Sequence, residues 1–216
     1  MYSTGDSELF QYKSVGEYRF CVHPLVYEPS DDTFMLVEYL EHNPHIVRNK
    51  TVLEIGCGSG LVTKVLAQRG ARSIIATDIN PYACHCTLCT LNLASHLPLE
   101  SEINVLACSL LEAFREDLKP DVIVFNPPYL PLEISDKHDW LEYAWCGGKS
   151  GVDVAIRFLR QLREKVCGKP RILLVLSSRG DLRKFNELSK EIVEFEIRDR
   201  RRFFFEELVL LEGVVL

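Results

Sequence analysis

Apolar and polar positions follow two repeating periods along most of the chain. Short apolar runs that predict β-strands occupy residues 51–55, 73–77, 103–108, 121–125 and 171–177. Stretches with the spacing of an amphipathic helix occupy residues 30–42, 61–70, 81–92, 152–166 and 181–192. Strands that alternate with helices predict a parallel sheet with helices on both of its faces.

Two further strand-like stretches, at about 193–199 and 203–215, complete the pattern and are joined by the arginine-rich run 198–202. They follow each other too closely for a crossover helix, so they predict an antiparallel hairpin. The expected fold class is α/β, with a doubly wound, seven-stranded and mostly parallel sheet that ends in a C-terminal antiparallel hairpin. We expect a single domain over residues 1–216, in which residues 1–25 form a less regular N-terminal segment.

Composition and charge narrow the class of protein. Hydrophobic residues make up 47% of the chain, which is enough for a core, and the formal net charge is −6. That charge gives no overall basic surface for nucleic acid, and we interpret the run 198–202 as a solvated turn. No apolar run approaches the roughly 20 residues that a membrane helix needs, and the first residues lack a signal-peptide pattern. These features predict a cytoplasmic or nuclear protein without membrane contact, whose 8 cysteines are thiols rather than disulfides.

One cluster of cysteines and a histidine has two interpretations. Cys84, His85, Cys86 and Cys89 lie within one predicted helix, where they could be metal ligands. A zinc site, however, needs four ligands, usually as two pairs from separate segments, and the sequence offers no second pair with that spacing. We therefore favour buried or half-buried thiols and predict no metal site.

A glycine-rich turn, Glu54-Ile55-Gly56-Cys57-Gly58-Ser59-Gly60, joins the first strand of the sheet to a helix. Its glycines would let a ligand approach the backbone, and Asp78, after the next strand, lies where an acidic residue binds ribose hydroxyls. The spacing G-x-G-x-G differs from the dinucleotide fingerprint G-x-G-x-x-G. Glu54 would repel a pyrophosphate but attract a cation, and S-adenosylmethionine carries both an ammonium and a sulfonium. A glycine turn without a ligand is the alternative.

The strand 121–125 runs into a stiff polar turn, Asn126-Pro127-Pro128-Tyr129. In a doubly wound sheet, ligands bind at the carboxyl ends of the strands, so Asn126 should face the reaction centre. The Asn126 side-chain oxygen and the Pro127 carbonyl are two fixed acceptors that match the two hydrogens of a planar –NH2 group, and Tyr129 offers an aromatic face. The turn therefore predicts a holder for an amide-like nitrogen that is to be methylated. The alternative is a proline-rich end to a strand.

Together, these motifs resemble those of the class I S-adenosylmethionine-dependent methyltransferases, in particular the HemK-like N5-glutamine group. The chain is most similar to the catalytic subunit of the short eukaryotic and archaeal form, which methylates the glutamine of the Gly-Gly-Gln motif in class I translation release factors. The segments that carry the resemblance are VYEPSDDTF (26–34), LEIGCGSG (53–60), TDINPYA (77–83), FNPPYLP (125–131) and EYAWCGGKSG (142–151). The implied fold is a Rossmann-like methyltransferase.

The resemblance also implies a role for each matched residue. The implied contacts of S-adenosylmethionine are Tyr27, Asp32, Thr33, Glu54, Gly56, Gly58, Asp78, Ser109, Leu110 and Asn126. The implied catalytic residues are Asn126, Pro127 and Tyr129, and the substrate-binding set adds Pro128 and Trp145. The family usually has an aspartate where this chain has Ser109, which puts the adenine contact there in doubt. For Trp145 and the glycines after it, the alternative is a buried aromatic residue beside a flexible turn.

A partner subunit is implied as well. Relatives of the short form act with a small zinc-binding activator that covers an apolar edge, and strand 103–108 is an unusually apolar strand for the outer position that the family gives it. We therefore expect a heterodimer in which the activator adds a strand along 103–108 and holds the zinc.

Two other functions use the same features. An adenine-N6 methyltransferase acting on DNA or RNA shares the Asn-Pro-Pro-Tyr chemistry, but the acidic charge of the chain disfavours it. A non-enzymatic scaffold with a methyltransferase fold would be expected to have lost residues such as Glu54, Gly56, Asp78 or Asn126, all of which are present.

Overall fold

Nine strands and five α-helices form in the computed structural model, which describes residues 9–93, 100–137 and 139–216. The strands are β1 (Gln11–Val15), β2 (Tyr18–Val22), β3 (Thr51–Ile55), β4 (Ser73–Asp78), β5 (Glu102–Ala107), β6 (Val122–Phe125), β7 (Arg171–Ser177), β8 (Val193–Arg202) and β9 (Glu207–Val215). The helices are α1 (Asp31–His42), α2 (Leu61–Gln68), α3 (Pro81–Asn92), α4 (Asp153–Lys165) and α5 (Leu182–Ser189), and short 3-10 turns lie at Pro44–Ile46 and Glu142–Ala144. Each segment predicted as a strand or helix contains the expected element; the ends match for β3, α3 and β7 and are shifted for the others.

Strands β3 to β9 form one sheet in the order β5-β4-β3-β6-β7-β9-β8. The first five strands in this order are parallel, and β9 is antiparallel to both β7 and β8. The predicted doubly wound sheet with a C-terminal antiparallel hairpin is confirmed, as is the outer position of β5. The strand order reverses between β3 and β6, where Ile55 lies opposite Phe125. Ligands of such sheets bind at this reversal, beyond the carboxyl ends of the strands.

The core consists of two apolar layers, one on each face of the sheet. Successive side chains of a strand point to opposite faces. Val122 and Val124 of β6 pack in the layer that contains α1 and α2, and Ile123 and Phe125 pack in the layer that contains α4 and α5. Because both faces are covered, the central strands are apolar at nearly every position.

The arginine-rich run 198–202 belongs to β8 and is not the solvated turn that the sequence suggested. Arg200 and Arg202 both form ion pairs with Glu207 on the neighbouring strand β9. Opposite charges on neighbouring strands stabilise a sheet, so a run of charged residues can form a strand as well as a turn. Charge alone therefore led to the wrong prediction for this run. The turn itself consists of residues 203–206.

At the N-terminus, β1 and β2 form an antiparallel hairpin that the sequence pattern did not predict. Every residue of β1 is exposed, so no apolar alternation marks it. Of the segment 1–25, residues 1–8 lie outside the described residues. β2 packs on α3, and a disulfide joins Cys21 to Cys89. The expectation of 8 thiols is therefore wrong for this pair: the two cysteines meet only because the fold brings α3 beside β2. The other six cysteines are free.

The residues of the Cys84-His85-Cys86-x-x-Cys89 cluster do not converge on one point. The Cys84 sulfur lies 4.0 Å from the backbone oxygen of Asp78, Cys86 is buried, and Cys89 is in the disulfide. Within residues 9–93, 100–137 and 139–216, no group of three or more histidine, cysteine, aspartate or glutamate side chains is placed to hold a metal ion. Over the same part of the chain, none of the helices has the length and apolar character needed to cross a membrane.

Candidate active site

A pocket of about 250 Å³ opens where the strand order reverses between β3 and β6. The residues with a predicted role that line it are Tyr27, Asp32, Thr33, Glu54, Gly56, Gly58, Asp78, Ser109, Leu110, Asn126, Pro127 and Pro128. Tyr129 and Trp145, the other two, are not part of its lining. The fold thus brings the start of α1 and the carboxyl ends of four parallel strands, β3, β4, β5 and β6, to one cavity.

The turn after β3 depends on its glycines. Gly56, Gly58 and Gly60 have positive φ angles of 73°, 52° and 79°, a conformation that other residues rarely adopt. The Gly56 N–H donates to the Thr77 carbonyl oxygen at 2.7 Å, which fixes the turn against β4. A Cβ on Gly60 would lie 2.5 Å from the Cα of Thr87 on α3. The close approach of α2 and α3 behind the turn therefore requires glycine at this position.

Two carboxyl groups with raised pKa values line the pocket. Glu54 is 3% exposed, and its Oε2 accepts a hydrogen bond from Thr63 Oγ1 at 2.5 Å. Burial raises the pKa of Glu54 to about 8; the Thr63 hydrogen bond opposes this rise and the Asp78 charge adds to it. Burial also raises the pKa of Asp78 to about 6, although the backbone N–H groups of Asn80 and Gly58 donate to it at 2.8 and 2.9 Å. Two poorly solvated acids in one pocket favour a cationic ligand, since it would stabilise their charged forms.

Asp32 connects the start of α1 to the turn after β6. It is 4% exposed, and its Oδ1 accepts hydrogen bonds from the backbone N–H and the hydroxyl of Thr33 at 2.7 and 3.3 Å. Its Oδ2 accepts from Asn126 Nδ2 at 3.1 Å and from the Tyr129 hydroxyl at 3.3 Å. Burial and then the Asp32 charge raise the pKa of Tyr129 above its ordinary value, so that hydroxyl keeps its proton and donates. Asp32 thus fixes the Asn126 amide and the Tyr129 ring relative to each other.

The other end of the Asn126 amide is left without a partner. Since Nδ2 donates to Asp32, the side-chain oxygen is directed away from that carboxylate. Asn126 Oδ1 is buried and has no hydrogen-bond partner among the residues that the structure describes. A buried acceptor in this condition costs roughly 1–3 kcal/mol, and such groups call for an explanation in terms of function, water or an ion. Because Asn126 lines the pocket, this unpaired oxygen is the candidate acceptor for a ligand that binds there.

Two glycines from a later segment, Gly147 and Gly151, pack against the backbone of the turn after β6. A Cβ on Gly147 would lie 2.7 Å from the Pro128 carbonyl oxygen, and one on Gly151 would lie 2.6 Å from the Tyr129 carbonyl oxygen. The Gly151 Cβ would also lie 2.9 Å from the Cα of Gly180. Only a hydrogen atom fits at these positions. Gly147 and Gly151 therefore support the turn by direct packing, which the alternative of a flexible turn does not describe.

The loop between β6 and α4 supplies pocket residues that the sequence did not single out. Ile134, Trp140 and Tyr143 line the pocket, and the rings of Trp140 and Tyr143 lie 5.6 Å apart. The aromatic residues of this loop were the only sequence feature that could have indicated a role in the pocket, because the loop has no periodic pattern from which the direction of its side chains can be predicted. Trp145, expected to bind substrate, lines a neighbouring groove that Tyr27 also borders.

Comparison with known proteins gives the family. Residues 18–137 match the model of the methyltransferase small domain. A putative protein N5-glutamine methyltransferase of Methanocaldococcus jannaschii is 36% identical over 201 residues, which cover 89% of this chain and 93% of that protein. The methyltransferase HEMK2 of Mus musculus is 39% identical over 139 residues, or 62% of this chain and 63% of that protein.

A solved structure is similar as well. It is a chain of the E. cuniculi Mtq2–Trm112 complex, which is responsible for the methylation of the eRF1 translation termination factor. The two chains are 25% identical with a TM-score of 0.62, and the match covers 88% of this chain and 98% of that chain.

The seven-stranded sheet with its antiparallel C-terminal strands, the pocket at its reversal and the match to the methyltransferase small domain identify a class I methyltransferase, an enzyme whose methyl donor is S-adenosylmethionine. The family model and the archaeal relative narrow the class further. The chain belongs to the methyltransferase small domain family and, within it, to the HemK-like protein N5-glutamine methyltransferases.

Proposed function

We propose that this enzyme methylates the side-chain amide nitrogen of the glutamine in the Gly-Gly-Gln motif of a class I translation release factor. The proposal depends on one observation: Asn126 lines the pocket, and its buried Oδ1 lacks a partner among the described residues. The –NH2 group of a glutamine supplies the donor that this atom lacks. The similarity to a putative glutamine methyltransferase and to a complex that methylates eRF1 supports the same substrate.

The residues of the pocket fit S-adenosylmethionine. The Glu54 carboxyl group would bind the charged methionine part and Asp78 the ribose, while Gly56 and Gly58 would allow close approach to the backbone. The other residues proposed to surround the cofactor are Tyr27, Asp32, Thr33, Ser109, Leu110 and Asn126. When bound, the cofactor supplies an electrophilic methyl group on its sulfonium.

The turn after β6 would hold the substrate amide. A carboxamide nitrogen is a weak nucleophile because its lone pair is delocalised into the carbonyl. Asn126 Oδ1 and the Pro127 carbonyl oxygen would accept its two hydrogens, which fixes the nitrogen and favours the positive charge that develops on it. Tyr129 and Pro128 would flank the planar group, and Asp32 would keep the Asn126 oxygen turned towards it. No strong base is required, since the nitrogen loses its proton after it has been alkylated.

A small zinc-binding activator subunit is proposed to pair along β5 and form a heterodimer with the chain. β5 is an outer strand of the sheet and pairs with β4 on one side. Ile103 and Val105 pack on the core, while Leu106 is 37% exposed. An apolar outer strand is a template for an added strand. The similar E. cuniculi protein is found in complex with Trm112.

Transfer of a labelled methyl group tests the proposed activity. The chain, co-expressed with a Trm112-like subunit, is given labelled S-adenosylmethionine together with a release factor or with DNA and RNA oligonucleotides. We expect label on the release factor, at the Gly-Gly-Gln glutamine by mass spectrometry. Asn126→Ala should slow transfer about 10²- to 10³-fold while cofactor affinity stays within about tenfold, because the lost contact acts mainly in the transition state. Label on oligonucleotide adenine alone would favour the alternative activity.

Co-purification tests the proposed partner. Leu106→Lys places a charge on the exposed face of β5 and should reduce recovery of the activator, whereas Leu188→Lys on α5, with a similar exposed fraction of 44% in the wild type, should not. Full methyl transfer by the chain alone, without an activator, would contradict the proposed heterodimer.

A further inference from the structure

Three consecutive phenylalanines, Phe203–Phe205, form an exposed turn between β8 and β9, here named the aromatic tip. Phe204 is 93% exposed, Phe205 80% and Phe203 37%. The rings of Phe204 and Phe205 meet edge to face, with centroids 4.7 Å apart. They pack on each other instead of on the core. Exposed apolar groups that cluster in this way mark surfaces that bind other molecules.

The aromatic tip lies at the same edge of the sheet as the pocket. β7 and β9 are antiparallel, and Ser177, the last residue of β7, lies opposite Leu208 near the start of β9. The tip comes just before β9, so it lies beyond the carboxyl end of β7. Glu206, next to the tip, accepts a hydrogen bond from Ser177 Oγ at 2.6 Å. Burial and then neighbouring charges, Glu206 among them, raise the pKa of Tyr27 to about 12, so Glu206 lies within electrostatic range of a residue that lines the pocket.

Backbone hydrogen bonds hold the aromatic tip in place. The Phe203 N–H donates to the Glu206 carbonyl oxygen at 2.8 Å and closes the turn. The Ser178 N–H donates to the Glu207 carbonyl oxygen, and the Glu207 N–H donates to Ser178 Oγ, both at 2.9 Å. The tip is thus tied to the segment that follows β7. A fixed apolar surface loses less conformational entropy when a partner covers it.

We propose that the aromatic tip is a docking surface for the protein substrate, where an apolar patch of the substrate beside the loop with the target glutamine covers Phe204 and Phe205. This inference rests on the proposed function. To bring a glutamine into the pocket, the substrate must lie over the edge of the sheet from which the tip projects. The activator is proposed at a different edge of the sheet, because β5 and β8 are the two outer strands, roughly 29 Å apart at six strand spacings of about 4.8 Å.

The test compares Phe204→Ala/Phe205→Ala with Leu188→Ala, which removes an exposed apolar side chain from α5, away from the tip. Each variant is purified with the activator, and its affinity for the release factor is measured with S-adenosylhomocysteine present. We expect the double variant to bind the release factor at least about tenfold more weakly, as for a pair of aromatic anchors, and the control to stay within about twofold. S-adenosylhomocysteine affinity and the melting temperature should be unchanged in both.

The outcomes separate docking from the activity itself. If the wild type methylates the release factor but the double variant binds and methylates it equally well, the docking surface is wrong and the proposed function stands. If the wild type leaves the release factor unlabelled, the proposed function fails and the docking inference fails with it. A rise in KM for the release factor with unchanged kcat is the kinetic result that supports docking.

Discussion

At the scale of single residues, the two ends of an amide side chain offer opposite hydrogen-bonding groups, and Asp32 selects which end of Asn126 is left unpaired. The Asp32 carboxylate only accepts hydrogen bonds, so Asn126 must present Nδ2 to it, at 3.1 Å. The Tyr129 hydroxyl, 3.3 Å from the same oxygen, reinforces this arrangement. Asp32 therefore determines that an acceptor rather than a donor is left unpaired at Asn126.

The first prediction follows from that selection. In Asp32→Asn, the new amide can donate as well as accept, so the Asn126 amide is no longer held in one orientation. We expect kcat to fall roughly 10- to 100-fold, a cost typical of a misplaced reacting group. Asp31→Asn, an exposed neighbour at the start of α1, is the matched control and should leave kcat unchanged. Steady-state kinetics and circular dichroism of both variants make the comparison, and equal kcat values would contradict the positioning role.

The second prediction concerns Glu54 and pH. Burial raises its pKa to about 8, above the ordinary value of 4.5, so the folded protein favours the protonated form. The contribution of protonated Glu54 to the free energy of unfolding is fully present below about pH 4.5 and is lost as the pH rises to about 8. Over this range the unfolded state, in which the pKa of Glu54 is lower, releases its proton while the folded state still retains it. Asp78, with a pKa of about 6, changes stability in the same direction at lower pH. Between pH 6 and 8 the remaining slope should belong to Glu54.

Urea unfolding of the cofactor-free chain across pH 5 to 9 measures this effect. The wild type should lose stability as the pH rises, and Glu54→Gln, which cannot ionise, should lose less. A wild-type curve that is flat or rises with pH between 6 and 8 would show that Glu54 is not held in its protonated form.

Much of the candidate site was predictable from single residues, because its chemistry is concentrated in short motifs after strands. Glu54, Asp78 and Asn126 were each identified from their place at the end of a strand, and all three line one pocket. Trp140 and Tyr143 were missed, since a loop without periodicity gives no indication of where its side chains lie. The hydrogen bond from Asn126 to Asp32 also requires the fold, because 94 positions separate the two residues.

At the scale of elements, the glycine turn gives the third prediction. Gly60→Ala introduces a Cβ that would lie 2.5 Å from the Thr87 Cα, in a residue with φ of +79°. We expect a loss of roughly 2–4 kcal/mol in the free energy of unfolding, from backbone strain and overpacking together. Gly16→Ala is the control: φ is +58°, but no atom lies within 4 Å of the added Cβ, so strain alone should cost about 1 kcal/mol. Urea denaturation distinguishes the two, and equal losses would show that the contact with Thr87 can relax.

Elements buried on both faces were easier to predict than elements at the surface. β6 is buried at every position, so its apolar run was unmistakable. β1 is exposed throughout, and the C-terminal part of β8 carries paired arginines, so neither has the alternation by which a half-buried strand is recognised. Their strand structure follows from pairing with a neighbour, which only the folded chain reveals.

At the scale of the whole molecule, the Cys21–Cys89 disulfide gives the fourth prediction. It links the N-terminal hairpin to α3 across 68 positions that include β3, α2 and β4. Closing a loop of that length restricts the unfolded chain, so reduction should lower the free energy of unfolding by up to about 4 kcal/mol. Urea unfolding with and without reductant measures the difference. Cys21→Ala/Cys89→Ala should be insensitive to reductant, and an identical wild-type curve in both conditions would show that the bond contributes nothing.

The two proposed protein contacts divide the molecule between them. The activator would extend the sheet at β5, and the substrate would cover the aromatic tip beside the opposite outer strand, β8. The pocket lies between these edges, at the reversal of strand order. The two proposed contacts therefore use separate edges of the sheet, as simultaneous binding of the activator and the substrate would require.

The contacts of Gly147, Gly151 and Gly180 bear on how distant homologues should be judged. An extra methyl group at Gly147 or Gly151 would collide with the Pro128 or Tyr129 carbonyl oxygen, so the turn that carries Asn126 would have to move. A homologue could then possess every polar group of the active site and still be a pseudoenzyme. Surveys that search genomes for active members should therefore inspect these hydrogen-only positions, which carry no chemistry of their own.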